Sequence, residues 1–371
     1  MMAGVNRPRP VSKPLLAALS LFLFAIVFEI GLRVRFRRST DSAIEMWKYA
    51  TLLKRPVADP KLSFAHAPNA RARLMGADVE INSRGLRDRE YPLAKPPGTF
   101  RIVMLGDSTT FGWALPLEDT SAKILERKLN AARAVDGRRF EVINAGVGNY
   151  DTVQEVEFFE TEVRAYHPDL TILVFYINDP EPVPAAKGGF LVRNSYTAAF
   201  LASRFDVALR RIGLLPAWES YYASPYDDKS PGFQACRAAL ESLAHSARTG
   251  GGGLLVALLP ELRRINGAAY PFQSEHRKIR SLLAAQDVPA IDLIEGLKDR
   301  GPESGLWISR FDDHPNARAN ALVAEQLQDW LMKSPLAPRA GAVRPADGRA
   351  PDRTGLVPAS RQRNGPGVGG P

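Results

Sequence analysis

The central part of the chain alternates between continuous apolar runs of strand length and amphipathic stretches of helix length. The apolar runs are residues 102–105, 140–143, 170–176, 253–259 and 288–291. The helical stretches are residues 121–134, 153–166, 233–248, 274–285 and 317–330. Strands that are apolar throughout are buried on both faces, so this alternation is typical of a parallel sheet covered by helices on each side. The pattern predicts an α/β fold, a three-layer α/β/α domain with a parallel sheet of about five strands, over residues 99–333.

An apolar segment precedes this domain. It runs without a charge from Leu15 to Phe28, and Arg33 closes it. A spanning helix needs about 20 residues, so we predict a transmembrane anchor at residues 14–34 behind a basic segment at residues 1–13. A cleaved signal peptide is the alternative, but the residues that follow contain no small-x-small cleavage site.

The net charge of +9 is concentrated at the two ends of the chain. Residues 1–38 carry +6, residues 339–371 carry +4, and the part between them carries −1. A nucleic-acid partner would need a basic patch on the folded domain, and we expect none. Basic residues on both sides of the apolar segment leave its orientation open. We expect a single-pass protein whose large domain is periplasmic or otherwise extracytoplasmic, because an N-terminal segment of this kind usually serves export.

Three further segments differ from the central pattern. Residues 39–98 are a lead-in, in which residues 78–88 predict a short strand and a bend. Residues 181–232 are rich in Tyr, Pro and Ser and predict an inserted lid or a plain surface insertion. Residues 334–371 hold almost no large apolar residues and predict a disordered tail. Cys236 is the single cysteine, which excludes an intramolecular disulfide and predicts a buried apolar side chain.

Two polar loops follow the first two predicted strands of the domain. Gly106-Asp107-Ser108 comes directly after the first strand, and ligands of parallel sheets bind beyond the carboxyl ends of strands. A serine in this place could equally be a helix N-cap. The loop from Asn144 to Asn149 follows the second strand, and its backbone N–H groups could point at a developing oxyanion. A simple strand-to-helix loop is the alternative.

Two more polar groups come later in the chain. Asn178 and Asp179 end the third strand, where the amide could donate to the same oxyanion or cap the break at Pro180. His314 follows Asp312 and Asp313 directly, and a histidine beside a carboxylate can act as a base. A surface loop whose acids cap the next helix is the alternative. The remaining histidines do not stand in such a setting and are interpreted as surface or core residues: His66, His167, His245 and His276.

Taken together and in this order, the four groups resemble the SGNH family of GDSL hydrolases, in particular its membrane-anchored bacterial-type members, over about residues 75–332. The resemblance implies a flavodoxin-like sheet and no metal or cofactor. It implies that Ser108 is the nucleophile and His314 its base. The oxyanion would be held by the backbone N–H of Ser108, by the turn position Asn149 and by the side chain of Asn178. Less certain site residues are Gly146, Gly148, Asp179 and Asp313.

The sequence departs from the family pattern at three positions. The acid that usually stands three residues before the histidine is replaced by Phe311, so Asp312 is expected to support His314 in place of Asp313. Asn149 stands where the family has an oxyanion glycine, and Asn tolerates the left-handed backbone better than most residues. A second family glycine, two residues before Asn178, is Tyr176 here.

The resemblance implies a serine esterase that acts on acyl esters, in the first place acetyl esters, through an acyl-enzyme. Its partner would be an acylated small molecule or a polysaccharide of the envelope or an exopolysaccharide, with the membrane bound through the N-terminal helix. The alternatives are a polysaccharide O-acetyltransferase on the same fold, a lipase or thioesterase, and a non-catalytic scaffold. The motifs do not distinguish water from a sugar hydroxyl as the acyl acceptor.

Overall fold

The computed structural model describes residues 12–36, 41–132, 138–181, 194–214, 216–334 and 336. The predicted disordered tail lies outside the described residues except for Ser334 and Leu336, and so does most of the basic segment that precedes the anchor. Residues 182–193 of the predicted insertion also lie outside them.

The described residues form eleven α-helices and eleven strands. The helices are α1 (Lys13–Arg35), α2 (Ser42–Leu52), α3 (Ser108–Phe111), α4 (Ser121–Ala132), α5 (Thr152–Thr161), α6 (Tyr196–Arg211), α7 (Trp218–Ala223), α8 (Pro231–Thr249), α9 (Gln273–Ala284), α10 (Ile294–Leu297) and α11 (Ala317–Lys333). The strands are β1 (Lys54–Pro56), β2 (Phe64–His66), β3 (Arg71–Leu74), β4 (Ala77–Glu80), β5 (Thr99–Gly106), β6 (Arg139–Gly146), β7 (Leu170–Phe175), β8 (Gly253–Leu258), β9 (Ala290–Asp292), β10 (Trp307–Ser309) and β11 (Asp312–Pro315).

Five parallel strands form the central sheet in the order β6-β5-β7-β8-β9. This is the flavodoxin-like order, in which the first strand is neighboured on one side by the second and on the other by the third. The α/β fold with five parallel strands is therefore confirmed. All six residues of β7 are buried, as expected for a strand covered by helices on both faces.

The register of the sheet brings the ends of the first strands together. Gly106 at the end of β5 pairs with Gly146 at the end of β6. On the other side of β5, Leu105 pairs with Leu173 of β7. The loops that follow these three strands therefore open at the same, carboxyl edge of the sheet, where ligands of such sheets bind.

The lead-in packs against this edge. Strands β3 and β4 form an antiparallel hairpin, and β1 pairs antiparallel with β2. A second, smaller apolar cluster joins the lead-in to Phe111 and Trp113, which follow the first sheet strand, and its lead-in members are Tyr49, Leu53, Leu74, Val79 and Ile81. The lead-in thus covers one side of the polar loops.

Helix α1 stands outside the packed domain for most of its length. It has 23 residues and a mean hydropathy of 2.5 in its most apolar part, and none of that part is buried. Among the described residues it is the one helix that is long and apolar enough to cross a membrane.

Candidate active site

Ser108 lies at the start of α3, directly beyond the end of β5. The N-cap of this short helix is Asp107, whose carboxylate accepts hydrogen bonds from the backbone N–H of Thr109 at 2.8 Å and from its hydroxyl at 2.8 Å. Asp107 therefore takes the capping role that the sequence left open for Ser108. The Ser108 hydroxyl remains available for another partner.

That partner is His314. The Ser108 Oγ lies 2.9 Å from His314 Nε2, and His314 Nδ1 lies 2.6 Å from Asp312 Oδ1. The three side chains form one hydrogen-bonded chain that joins the end of β5 to β11. The distance between the Ser108 hydroxyl and the His314 ring is within the range expected of a serine that is activated by a base.

The choice between the two adjacent carboxylates follows from the backbone of β11. Asp312 to Pro315 are extended, so residues two apart face the same side and successive residues face opposite sides. Asp312 therefore shares a face with His314. Asp313 points away and pairs with Arg263, its Oδ2 lying 2.8 Å from Arg263 Nε.

Two donors from distant parts of the chain hold the second oxygen of Asp312. Trp113 Nε1 donates to Asp312 Oδ2 at 3.0 Å, and the Ser42 hydroxyl donates to the same oxygen at 3.1 Å. With Oδ2 held from behind, Oδ1 faces His314. Neither donor was assigned a role from the sequence, although Trp113 lies only five residues after Ser108.

The pKa values of this pair move apart as expected for a carboxylate that supports an imidazole. Burial raises the pKa of Asp312, but its hydrogen bond to His314, the charge of His314 and the Trp113 donor outweigh it and lower this pKa to about 2. Burial lowers the pKa of His314, but the hydrogen bond and charge of Asp312 outweigh burial and raise it above its usual value. Asp312 is thus ionised at neutral pH and stabilises a protonated His314.

Two backbone N–H groups are free to face a substrate oxygen. Ser108 is the first residue of its helix, where the N–H has no partner within the helix. Asn149 has a left-handed backbone with φ of 66°, and in the described part of the chain its N–H makes no hydrogen bond. This is the left-handed region of backbone conformation, which Asn adopts at lower cost than most residues.

The two glycines of this loop serve close packing, and their N–H groups are occupied. Gly146 N–H donates to Asn144 Oδ1 at 3.0 Å, and Gly148 N–H donates to the Tyr49 hydroxyl at 2.8 Å. A Cβ at Gly146 would lie 2.2 Å from the backbone nitrogen of Phe111, and one at Gly148 would lie 2.7 Å from the ring of Tyr49. Both positions therefore require glycine for the loop to pack against its neighbours.

The lead-in supports the Gly148–Asn149 turn from behind. Lys54 Nζ donates to the Gly148 carbonyl and, at 3.0 Å, to Asn149 Oδ1. Tyr49 donates its hydroxyl to His66 Nε2 at 2.7 Å while accepting from Gly148 N–H. Burial lowers the pKa of His66 to about 3, despite its bond to the Gly85 carbonyl. His66 is therefore a neutral acceptor that fixes Tyr49 under the turn.

Asn178 and Asp179 lie beyond β7, in the turn that the sequence placed there. The Asn178 side chain is close enough to Asp107 to lower the pKa of that carboxyl by hydrogen bonding, although burial raises this pKa overall. The buried Asn178 Oδ1 has no hydrogen-bond partner among the described residues. Asp179 is buried, accepts from the Thr152 hydroxyl at 3.1 Å, and has its pKa raised well above the usual value by burial and by the charge of Asp107.

A partly exposed ionic cluster surrounds Asp313 on the other side of β11, and within it Glu261 is buried. Glu261 accepts from Arg263 Nε at 3.0 Å and from the Tyr176 hydroxyl at 2.9 Å. Burial and the charge of Glu261 raise the pKa of Asp313 to about 6, against the opposing effect of Arg263. Asp313 therefore belongs to the wall of the site and makes no contact with the His314 ring nitrogens, which are bound to Ser108 and Asp312.

Within the described residues, no group of three or more His, Cys, Asp or Glu side chains is arranged to hold a metal ion. Cys236 is a free cysteine and is buried.

No protein-family model and no curated protein matches the chain. Among similar solved structures, one is described as a lipolytic protein of the G-D-S-L family from Desulfitobacterium hafniense, with a TM-score of 0.39, 16% identity, and coverage of 62% of this chain and 98% of that chain. A catalytic mutant of an acetylxylan esterase from Geobacillus stearothermophilus has a TM-score of 0.41, 12% identity, and coverage of 62% and 93%. A two-domain esterase active on acetylated mannans has a TM-score of 0.39, 18% identity, and coverage of 67% and 52%.

Proposed function

We propose that this chain is a serine-dependent ester hydrolase of the SGNH type. The observation that carries the proposal is the hydrogen-bonded chain from Ser108 Oγ through the His314 ring to Asp312. In this arrangement a hydroxyl, a base and an ionised carboxylate stand in the order that nucleophilic acyl transfer requires. The free N–H groups of Ser108 and Asn149 and the amide of Asn178 support an oxyanion hole beside the hydroxyl.

The proposed reaction has two steps. Ser108 Oγ attacks the ester carbonyl carbon, and its proton passes to His314 Nε2. The oxyanion that forms is held by the three donors, the carbon–oxygen bond to the leaving alcohol breaks, and His314 returns the proton to that alcohol. Water then attacks the acyl carbon and gives a proton to His314, the bond between the acyl carbon and Ser108 Oγ breaks, and His314 returns the proton to Ser108 Oγ, which releases the acid and regenerates the hydroxyl. Asp312 stabilises the imidazolium in both steps.

Acetyl esters are the substrates that we propose in the first place, and a sugar hydroxyl in place of water would make the same site an acetyltransferase.

We further propose that α1 is retained as an anchor. Phe36, which follows α1, is buried, and Lys48 Nζ donates to its carbonyl at 2.9 Å. The end of α1 is thus part of the packed domain, which favours an anchor over a cleaved signal.

Replacing Ser108 with Ala tests the proposal. The variant is expected to lose hydrolysis of a chromogenic acetyl ester by about 10⁴-fold or more, since loss of the nucleophile alone costs about as much as loss of the whole triad. Ser230→Ala is the matched control, because Ser230 precedes α8 and its side chain makes no capping hydrogen bond. Parent-level hydrolysis by the Ser108→Ala protein would contradict the proposal. Repeating the parent assay with an oligosaccharide acceptor distinguishes hydrolase from transferase.

A further inference from the structure

Helix α6, in the predicted insertion, carries an exposed apolar stripe. Leu201 is 55% exposed, Phe205 66%, and Ile212, directly after the helix, 68%. Their spacing of four and then seven residues places them on one face of a helix. Leu214 continues the apolar surface and is 69% exposed. Large apolar side chains that are this exposed along one helix face usually mark a partner or a membrane.

The start of α6 is bound to α1 through Glu29, the one acidic residue of the apolar segment. The Glu29 carboxylate accepts from the Ser195 hydroxyl at 2.8 Å and from the backbone N–H groups of Tyr196 at 3.0 Å and Thr197 at 2.9 Å. A carboxylate at a helix N-terminus satisfies free N–H groups and interacts favourably with the helix dipole. The charge of Glu29 is therefore used to hold α6 against α1.

Further contacts fix the side of α6 that faces away from the stripe. Arg33 pairs with Glu29 at 2.8 Å and lies over the Tyr196 ring at 4.9 Å. The rings of Phe36 and Phe200 are 5.6 Å apart. Further along α6, Arg204 pairs with Asp41. Residues 196, 200 and 204 thus form the packed face, which leaves the stripe facing outward.

We propose that the apolar stripe of α6 lies in the lipid–water interface of the membrane that holds α1. The proposal rests on α1 being a membrane anchor. Helix α1 has 23 residues, a length of about 35 Å, which matches a hydrocarbon core of about 30 Å. Glu29 and Arg33 lie in its last two turns, where a charged pair reaches the interface. Because Glu29 caps α6, α6 begins at the same depth, and its apolar face continues the surface of α1.

This placement brings the candidate active site to the membrane surface. Arg204 of α6 pairs with Asp41, and the next residue, Ser42, donates to Asp312 at 3.1 Å. Helix α6 and Asp312 are thus joined through Asp41 and Ser42, two neighbouring residues at the start of α2. An ester that is itself carried at a lipid surface would reach Ser108 from that side.

Spin-label accessibility in lipid nanodiscs tests the proposal on the full chain. Cys236 is buried, so the parent protein serves as the unlabelled reference. A nitroxide is attached to Phe205→Cys, with Leu93→Cys as the matched apolar control and Leu19→Cys as the reference within α1. Leu93 is 38% exposed and precedes β5, at the opposite edge of the sheet from the site. Collision rates are measured with oxygen, which concentrates in lipid, and with a water-soluble nickel chelate.

We expect the labels at positions 205 and 19 to collide preferentially with oxygen, and the label at position 93 with the nickel chelate. If position 205 were as accessible to nickel as position 93 while position 19 lay in lipid, the proposal would be wrong and the anchor would stand. If position 19 were also exposed to the nickel chelate, the interfacial placement of α6 and the membrane anchor would both be wrong. Shielding of position 205 from both reagents would overturn the proposal in favour of a lid packed on the protein. Spin–spin coupling between two labelled chains would overturn it in favour of a second copy.

Discussion

Replacing Asp312 with Asn tests which of two adjacent carboxylates supports His314. The substitution keeps the size of the side chain and removes its charge. The uncharged amide of Asn cannot stabilise the Nδ1 proton of His314 as a carboxylate does. The amide can also turn its NH₂ toward the ring and favour the wrong tautomer. In a triad this change lowers kcat by about 10³–10⁴-fold, and we expect a loss of that order here.

The structure also predicts how much stability Asp312→Asn loses. The pKa of Asp312 is about 2 in the folded chain against a usual 3.8, which corresponds to about 2 kcal/mol in favour of the ionised folded state. A carboxyl whose pKa is lower in the folded chain than in the unfolded chain stabilises the fold at pH values above its unfolded pKa. That stabilisation is lost as the pH falls through the folded pKa. The Asn variant should therefore be less stable by about 2 kcal/mol at neutral pH, and the difference should shrink as the pH falls from about 4 towards 2.

Steady-state hydrolysis of an acetyl ester and urea unfolding measure the two effects separately. The pH profile adds a third readout, because Asp312 raises the pKa of His314, so the acidic limb of kcat/KM should move to lower pH in the Asn variant. Asp313→Asn is the matched control. It removes a half-exposed ion pair with Arg263, worth about 1 kcal/mol or less, and should cost less than about tenfold in kcat. A large loss in Asp313→Asn with full activity in Asp312→Asn would refute the strand-alternation argument.

Three further substitutions test the groups around the triad. Trp113→Phe removes a hydrogen bond to the Asp312 carboxylate worth about 1.5–3 kcal/mol, so kcat should fall about 10- to 100-fold with little change in KM; equal kinetics would show that Trp113 does not position the acid. Asn178→Ala should lower kcat by about 10²–10³-fold in a protein that still folds, and an unchanged kcat would remove Asn178 from the oxyanion hole. Lys54→Met keeps the apolar stem but loses the donors that hold the Asn149 turn. We expect kcat to fall about tenfold at constant KM, which corresponds to a loss of about 1.5 kcal/mol. A change in KM alone would assign Lys54 to substrate binding.

The fold was predictable because its sheet is buried on both faces. Strands such as β7, with every residue buried, leave a continuous apolar run in the sequence, and the amphipathic helices between them leave a different period. The parallel topology then brings the ends of these strands to one edge, so the sequence alone is enough to group the polar residues that follow each strand. The expectation that Asp312 supports His314 depended on local chain geometry, because Asp313, as the immediate neighbour, is poorly placed to fold back on the ring; the extended backbone of β11 supplies the physical reason.

The supporting contacts were not predictable, because they join distant positions without a repeating pattern. Trp113 and Ser42 reach Asp312 across 199 and 270 residues. His276, interpreted from the sequence as a surface or core residue, has a partner that was missed for the same reason. It is buried, and its Nδ1 lies 3.0 Å from Asp292 Oδ2, a partner at the end of β9 that its own helix does not reveal. Tertiary packing decides such pairs, and local sequence does not carry them.

Labelling with a fluorescent alkyl phosphonate, followed by peptide mass spectrometry, tests the central claim most directly. The phosphonate reacts only with a serine whose hydroxyl is activated by a base, so it reports the Ser108–His314 pair without requiring the natural substrate. We expect a single adduct on Ser108, strongly slowed in His314→Ala and absent in Ser108→Ala. An unlabelled parent protein, or an adduct on a different serine, would contradict the assignment of Ser108 as the nucleophile.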